Sequence, residues 1–412
     1  MRIVADLHAH SPYARATSPK CTVPGLAHGA KTKGIHVLAT GDFTHPQWFQ
    51  QLKNHLDREQ KGLYPHQNIH FILSVEVSCI YEKNGTKKMH HIVLAPDFDI
   101  AAQINDRLKK YGDLTADGRP MLGMGSAALV EELMQISKDI VIIPSHAWTP
   151  WFSIFGSRSG VDSVEEAFED QAKHIFALET GLSSDPDMNW MVSSLDKYTL
   201  VSNSDAHSLP NLGREANVFD LEELSYRALV NAIRTRKGFV KTYEFYPEEG
   251  KYHYDGHRNC NVILHPSESK KYGNRCPVCK RSLTIGVLHR VTDLADRKYG
   301  FKPENAVPFQ RIVPLPTIIA GAIGKQTGTQ AIAEEYDRLI RYFGNEFSVF
   351  ESSEEKIQLA TSPEIARAII QVQKGEVKWR PGYDGVFGQL ILNPAKHEKT
   401  IADKKQKTLE EF

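Results

Sequence analysis

No stretch of the 412-residue sequence approaches the roughly 20 apolar residues of a membrane span, so none is expected. Residues 1–10, MRIVADLHAH, lack the basic start and long apolar run of a secretory signal. Cysteine is scarce and odd in number, five in all, which argues against a fully paired disulfide scaffold. Neither charge is in excess: Lys+Arg and Asp+Glu are both 50, so any basic surface must be local. There is no solenoid-type repeat. These absences point to a soluble, cytoplasmic, reduced protein with no membrane partner.

What is present is a chain long enough for two or three domains, with 41% apolar residues for a large core and 18 histidines. From residue 1 to about 245 one pattern recurs: a short β-branched run, a polar tail, then a helical stretch. The runs are Arg2–Ala5, His36–Ala39, His70–Val77, Ile92–Ala95, Ile140–Ile143, Ile175–Leu178 and Thr199–Val201. Helical character falls at Ala127–Lys138, Val164–Lys173 and Glu222–Arg236. Such alternation predicts α/β structure, with βα units around a parallel sheet or closed barrel. A second region, 246–300, is rich in His, Cys and Gly. Between Lys251 and Lys302 stand 11 Lys and Arg against four Asp and Glu. A mixed α/β C-terminal region, 301–395, and a charged, flexible tail, 396–412, follow.

Metal-ligand residues recur at the ends of the predicted strands. Asp6-Leu7-His8-Ala9-His10 follows the first, and alternate residues of an extended chain face one side, so His8 and His10 can share an ion. Asp205-Ala206-His207 repeats the geometry after the last. Between them come Asp42, Glu76, His90-His91, His146 and Glu179. In parallel barrels the C-terminal strand ends form one face. Mixed His, Asp and Glu ligands suit Zn, Mn, Mg or Fe. Two or three such ions can activate water and stabilise an in-line phosphoryl displacement. Asp205, His207, Glu76 and Arg214 are the candidate catalytic residues. Arg15 and Arg214, beside the motifs, are candidates to clamp a phosphate.

In the second region His257-x-x-Cys260 and Cys276-x-x-Cys279 form two ligand pairs 15 residues apart, a structural zinc pattern. His253 and His265 are alternative fourth ligands. Lys270, Lys271, Arg275, Lys280, Arg281 and Arg290 would neutralise phosphates, with a solvated charged face as the alternative. Trp148, Trp151 and Phe152, just after His146, are candidates to stack on an extruded base, with core packing as the alternative. The segment Gly321–Gly328 fails the Walker pattern because Gln326 follows Lys325, and it reads as a turn, either a plain one or one whose amides, with Lys325, suit a phosphate.

DLHAH, TGDF, VEVS, HHIVLAPDF, PSHAW and NSDAH resemble the motifs of the polymerase-and-histidinol-phosphatase (PHP) family over residues 1–245. The resemblance implies a distorted (β/α)7 barrel with a two- or three-metal phosphoesterase centre. It implies metal-binding roles for His8, His10, Glu76, His146, Asp205 and His207. His91 matches the mid-barrel histidine better than His90, and both stay open. Two departures stand out: Phe43 follows Asp42 where many members have His, and Tyr13, Ala14 and Arg15 stand where many have a further His. One ion is therefore expected either to be ligated differently, through Asp42, or to be held less tightly. YHYDGHRNC, CPVC, LTIGVLHRV, AGAIGKQTGTQ and RPGYDGVFG extend the likeness to the endonuclease Q family along almost the whole chain. That family implies a DNA repair endonuclease nicking 5′ to deaminated bases (hypoxanthine, uracil, xanthine) and abasic sites, associated with the nucleoid, its C-terminal region contacting DNA. The alternative is a PHP-type phosphatase acting on a small phosphorylated metabolite, which needs neither the basic module nor the C-terminal region. Gln406, Leu409 and Phe412 resemble a motif that docks repair proteins on the replication sliding clamp.

Overall fold

The computed structural model describes residues 1–56 and 58–392. The tail 396–412, with Gln406, Leu409 and Phe412, lies outside the described residues.

The barrel region contributes β1 (Arg2–Asp6), β2 (Val37–Ala39), β3 (Tyr64–His66), β4 (Ile69–Glu82), β5 (Thr86–Ala95), β6 (Met121–Leu122), β7 (Val141–Pro144), β8 (Ala177–Glu179), β9 (Thr199–Val201), β10 (Ala216–Asp220) and β11 (Phe239–Glu244). Next come β12 (Asp255–His257), β13 (Val262–Leu264), β14 (Phe309–Arg311), β15 (Lys378–Arg380) and β16 (Gln389–Ile391). One curled sheet runs β14-β11-β10-β1-β2-β4-β5-β7, with β3 and β6 attached to β4.

The expected array of parallel βα units is found only in part. β1, β2 and β4 pair in parallel, as do β8 and β9. But β5 is antiparallel to β4 and β7, and β10 is antiparallel to β1 and β11. The reason at β4–β5 is local. Asn84 and Gly85 adopt φ 51° and 97°, a tight turn that joins only antiparallel neighbours. Nor is the ladder continuous around a closed ring. The β8–β9 pair is a separate sheet. It is tied to the β7 side by Ala147 N–H donating to Glu179 O at 2.9 Å, and to the β1 side by an Ala9–Ala206 bridge.

Strand alternation divides the core. Ile3, Ala5, Leu7, Val37, Ile72, Ile92, Val141 and Ile143 form the inner floor, closed below by Tyr226, Leu229 and Ile233 of helix Tyr226–Thr235. Val4, Leu38, Phe71, Leu73, Val93 and Ile142 face the surrounding helices. Past Ile72 and before Ile92 the inner face turns polar, with Ser74, Glu76, Ser78 and His90 buried there.

The second region is small. Its own apolar cluster is Val262, Cys276 and Leu283, with Cys260 and Leu264 beside it. The C-terminal region is mainly helical (Leu315–Ile323, Gln330–Phe343, Glu346–Phe350, Glu354–Ala360 and Pro363–Gln373), ending in the β15–β16 hairpin. The 301–395 boundary blurs at β14, which joins the barrel sheet beside β11. A buried ion pair, Lys33 Nζ to Glu346 Oε2 at 2.5 Å, ties the helical region to the barrel. Glu346 also accepts from Leu315 N–H and Tyr336 Oη–H.

Candidate metal centre and nucleic-acid interface

β1, β2, β4 and β7 run in one direction, so the residues just past β1, β2 and β7 rise on a common edge of the curl. There His8, His10, Glu76 and Asp205 bring ligand atoms within 4.8 Å of one another, and Glu76, His90 and His146 do the same. Glu76 belongs to both groups. Its Oε1 lies 2.9 Å from His90 Nδ1 and 2.9 Å from His146 Nε2. Its Oε2 lies 3.6 Å from His8 Nε2 and 3.5 Å from His10 Nε2. A carboxylate facing two groups of nitrogen donors is suited to bridge two divalent ions. His8 Nε2 is buried without a hydrogen-bond partner. A ligand atom left bare at the centre of such a group fits a cation.

Acids behind the ligands fix the imidazoles. His8 Nδ1 lies 3.1 and 3.2 Å from the two Glu179 oxygens, and His10 Nδ1 lies 3.0 Å from Asp42 Oδ1. Each pairing leaves Nε2 for the centre. Asp42 therefore stands behind His10 and outside both converging groups. Its other oxygen accepts from Ser11 N–H and Oγ–H, both at 2.6 Å. Burial opposes charge on His8, but Glu179, Glu76 and Asp205 overcome it and raise its pKa well above the usual imidazole value. Burial likewise opposes charge on Glu76, and His90, His8 and His10 overcome it, holding the carboxyl well below the usual range.

Between the two adjacent histidines, pairing register decides. Across the β4–β5 ladder Ser78 faces His90 and Val77 faces His91, so His90 shares the inner face with Glu76. His91 points the other way, its Nε2 2.8 Å from Ser126 Oγ, and burial depresses its pKa to about 3. His207 stands beside the groups. Its ring centroid is 4.3 Å from that of His10 and its Nδ1 is 3.0 Å from the Asp205 carbonyl.

Several expected DNA contacts have other work. Arg214 Nε–H donates to Ser204 O at 2.9 Å and its Nη2 to Asp205 O at 3.3 Å, so it braces the Asp205 loop. Trp148 is buried, donates to Asn189 Oδ1 at 2.8 Å and packs on Phe155, as a core residue does. Arg290 donates to the carbonyls of Phe155 and Val161 and pairs with Asp162, joining the second region to the barrel. Lys270 pairs with Asp293. Arg15, Lys271, Arg275, Lys280, Arg281 and Lys325 are exposed. Trp151 is exposed, and Phe152 lies 4.7 Å from the His90 ring. Gly324 (φ 68°) ends helix Leu315–Ile323 and Thr329 precedes the next, so this segment is a turn, as expected.

Sequence reading missed Arg119, whose Nη1 is 3.1 Å from Glu76 Oε2. It sits in an aperiodic loop with no motif. It also missed the buried Asp6 and Asn203. Asp6 accepts from Ser204 and Gly213 N–H, while Asn203 accepts from Leu7 N–H and donates to Glu179. The acid and amide of DLHAH and NSDAH were the available signal.

In the second region His257, Cys260, Cys276 and Cys279 bring their ligand atoms within 4.8 Å of one another, a set that fits tetrahedral zinc. His253 and His265 are not in that group.

The family model described as the MJ0043 C-terminal domain matches residues 314–376, the helical region. Protein MJ0043 of Methanocaldococcus jannaschii is 31% identical over 260 residues, covering 61% of this chain and 32% of that protein, so the match spans about a third of its length. YqxK of Bacillus subtilis is 26% identical over 412 residues, covering 94% of this chain and 99% of that protein. The crystal structure of the lesion-specific endonuclease PfuEndoQ from Pyrococcus furiosus superposes with a TM-score of 0.86 at 31% identity, covering 95% of each chain. A structure of endonuclease Q with a 27-mer duplex substrate, an abasic lesion at the active site, superposes at 0.85 and 31% identity, covering 96% of this chain and 98% of that one.

Proposed function

The chain belongs to the endonuclease Q family, and from that premise we propose that it is a DNA repair endonuclease of PHP type, nicking the phosphodiester 5′ to deaminated bases and abasic sites. The observation that carries this reading is the end-to-end likeness to a lesion-specific endonuclease, barrel, second region and helical region together. The ligand groups fit the chemistry. His8, His10, Glu76 and Asp205 would hold one divalent ion and Glu76, His90 and His146 a second, with His207 beside them. When bound, such ions supply a water nucleophile near neutral pH and stabilise the charge of an in-line phosphoryl displacement. The protein's own part is orientation. Glu179 and Asp42 aim His8 and His10, Arg214 braces Asp205, and Arg119 brings a cation to the edge where a phosphate would lie.

His257, Cys260, Cys276 and Cys279 would hold a structural zinc, stabilising a module whose apolar cluster is too small to do so alone. Exposed Lys271, Arg275, Lys280 and Arg281 on that module favour a polyanion over a small metabolite.

The test uses end-labelled duplexes carrying one uracil, hypoxanthine, xanthine or abasic site, with Mg, Mn or Zn added after chelation. Nicking 5′ to the lesion is expected. Equal cutting of undamaged duplex, or of none with any ion, would overturn the reading.

A further inference from the structure

The β15–β16 hairpin holds two adjacent apolar side chains in solvent on an unusually well-fixed turn. Val386 is 39% exposed and Phe387 61% exposed. The tip is a two-residue Asp384-Gly385 turn, φ 44° and 86°, closed by Tyr383 N–H to Val386 O at 3.0 Å and Val386 N–H to Tyr383 O at 2.8 Å. Tyr383 is buried and donates to Asn261 Oδ1 at 2.9 Å. Asp384 accepts from Arg258 N–H at 2.7 Å and Thr284 Oγ1–H at 2.6 Å. The N–H groups of Gly382, Gly385 and Gly388 donate to the carbonyls of Glu248, Lys251 and Glu249. A Cβ at Gly382 would collide with Gly250 O, and one at Gly388 with Glu248 O, so the loop lies flat on segment 248–251.

Scattered exposed apolar residues need no explanation. A rigid pair at a turn does, because nothing in the core recruits it. The charge around the tip selects the occupant. Lys251 Nζ lies 4.5 Å over the Phe387 ring, Arg258 reaches within 3.4 Å of the Cβ position of Gly385, and Lys378 and Arg380 are exposed on β15 of the same hairpin. A cation over the aromatic, with further basic side chains on the same hairpin and beside its turn, favours stacked bases between phosphates over an apolar protein face. The tip also shares an aromatic run with the metal groups. The Tyr252 hydroxyl lies 3.9 Å from the Cβ position of Gly385, Trp151 packs edge-on against Tyr252 at 5.6 Å, and the next residue, Phe152, meets His90.

We propose that Val386 and Phe387 form a wedge that enters the base stack of a damaged duplex and holds it open while the lesion nucleotide is extruded towards the metal edge. This inference rests on the lesion-endonuclease reading above.

The test compares full-length wild type with Phe387→Ala and Phe387→Leu on two substrates: a fully paired duplex with one abasic site, and the same lesion inside a short unpaired bubble. A wedge is needed only where stacking must be broken. Phe387→Ala should nick the paired duplex roughly 5- to 100-fold more slowly, the range of one lost stacking contact, and the bubble within about threefold of wild type. Phe387→Leu should recover most of the loss. A 2-aminopurine beside the lesion should brighten with wild type and stay dim with Phe387→Ala at saturating protein. Equal rates on the paired duplex, or equal losses on both substrates, would overturn the wedge. Wild type failing on both would instead sink the underlying reading.

Discussion

Glu76→Gln is the sharpest perturbation of the proposed centre. The substitution keeps the side chain's volume, so no cavity opens in a site where Glu76 is 2% exposed. It removes one negative charge from both ligand groups at once, since Oε1 meets His90 and His146 while Oε2 faces His8 and His10. Losing a residue that only orients a ligand already costs about 10–100-fold in metal affinity. A shared ligand should cost more, and we expect nicking to fall by about a thousandfold or more, ~4 kcal/mol of barrier. Arg119 loses its partner too, and because the Glu76 carboxylate is fully buried among His90, His8 and His10, the loss also weakens the metal-free fold. The chelated protein should therefore melt earlier than wild type, and nicking is compared at a temperature where both are folded. The assays are single-turnover nicking of an abasic duplex, metal content by mass spectrometry after dialysis, and thermal melting in chelator. A variant with undiminished metal content that nicks within threefold of wild type would refute the bridging role.

Replacing Cys276 and Cys279 with Ser should lower the metal content by about one zinc and reduce the salt dependence of DNA binding; an unchanged metal count would remove the zinc assignment. Burial raises the Glu244 carboxyl from 4.5 to about 8, so the native state holds a proton that the unfolded chain releases. Stability should thus be full below the ordinary carboxylate range and decline as pH rises towards 8, and the melting-temperature advantage of Glu244→Gln should grow between about pH 5 and pH 8.5; a pH-independent difference would contradict this. Lys33→Met leaves Glu346 buried without its cation and should cost about 3–5 kcal/mol, read as an earlier melting transition and faster proteolysis between the barrel and helix Leu315–Ile323; unchanged melting would show that the pair does not anchor the helical region.

Several residues of the converging groups were legible in the sequence because they sit where strand periodicity stops. His8, His10, His146 and Asp205 each follow a short β-branched run, and seven such runs coincide with strands. What failed was direction. The Asn84-Gly85 pair is a hairpin signal, yet the regular spacing of runs suggested a uniform parallel array. Reading that turn would have paired β4 with β5, put His90 on the face of Glu76 and sent His91 outward. Trp148, for which core packing was the open alternative, and Arg290 make contacts within the protein that the sequence did not show, for a different reason. Their residue types suit DNA, but burial and backbone partners are tertiary facts that one position in a sequence does not carry. The convergence of His257, Cys260, Cys276 and Cys279 was easier to read because its information is short-range: two residue pairs meet once the chain folds back.

The backbone explains why the residues behind the ligands matter as much as the ligands. Asp42, His146 and Asp205 all have positive φ, at 52°, 31° and 47°, and none is glycine. Such conformations cost on the order of 1–3 kcal/mol each and persist only where surrounding contacts overdetermine them. Each of the three is so held. Ser11 clamps the Asp42 carboxylate through both N–H and hydroxyl. Glu179 accepts the His146 N–H at 2.7 Å while gripping His8 and Asn203. Arg214 gathers the carbonyls of Ser204 and Asp205. Protein contacts thus brace all three turns, with His146 and Asp205 reaching into the converging groups and Asp42 standing behind His10. Such support is what a preorganised site requires: contacts behind the proposed ligands would hold them in place for the ions.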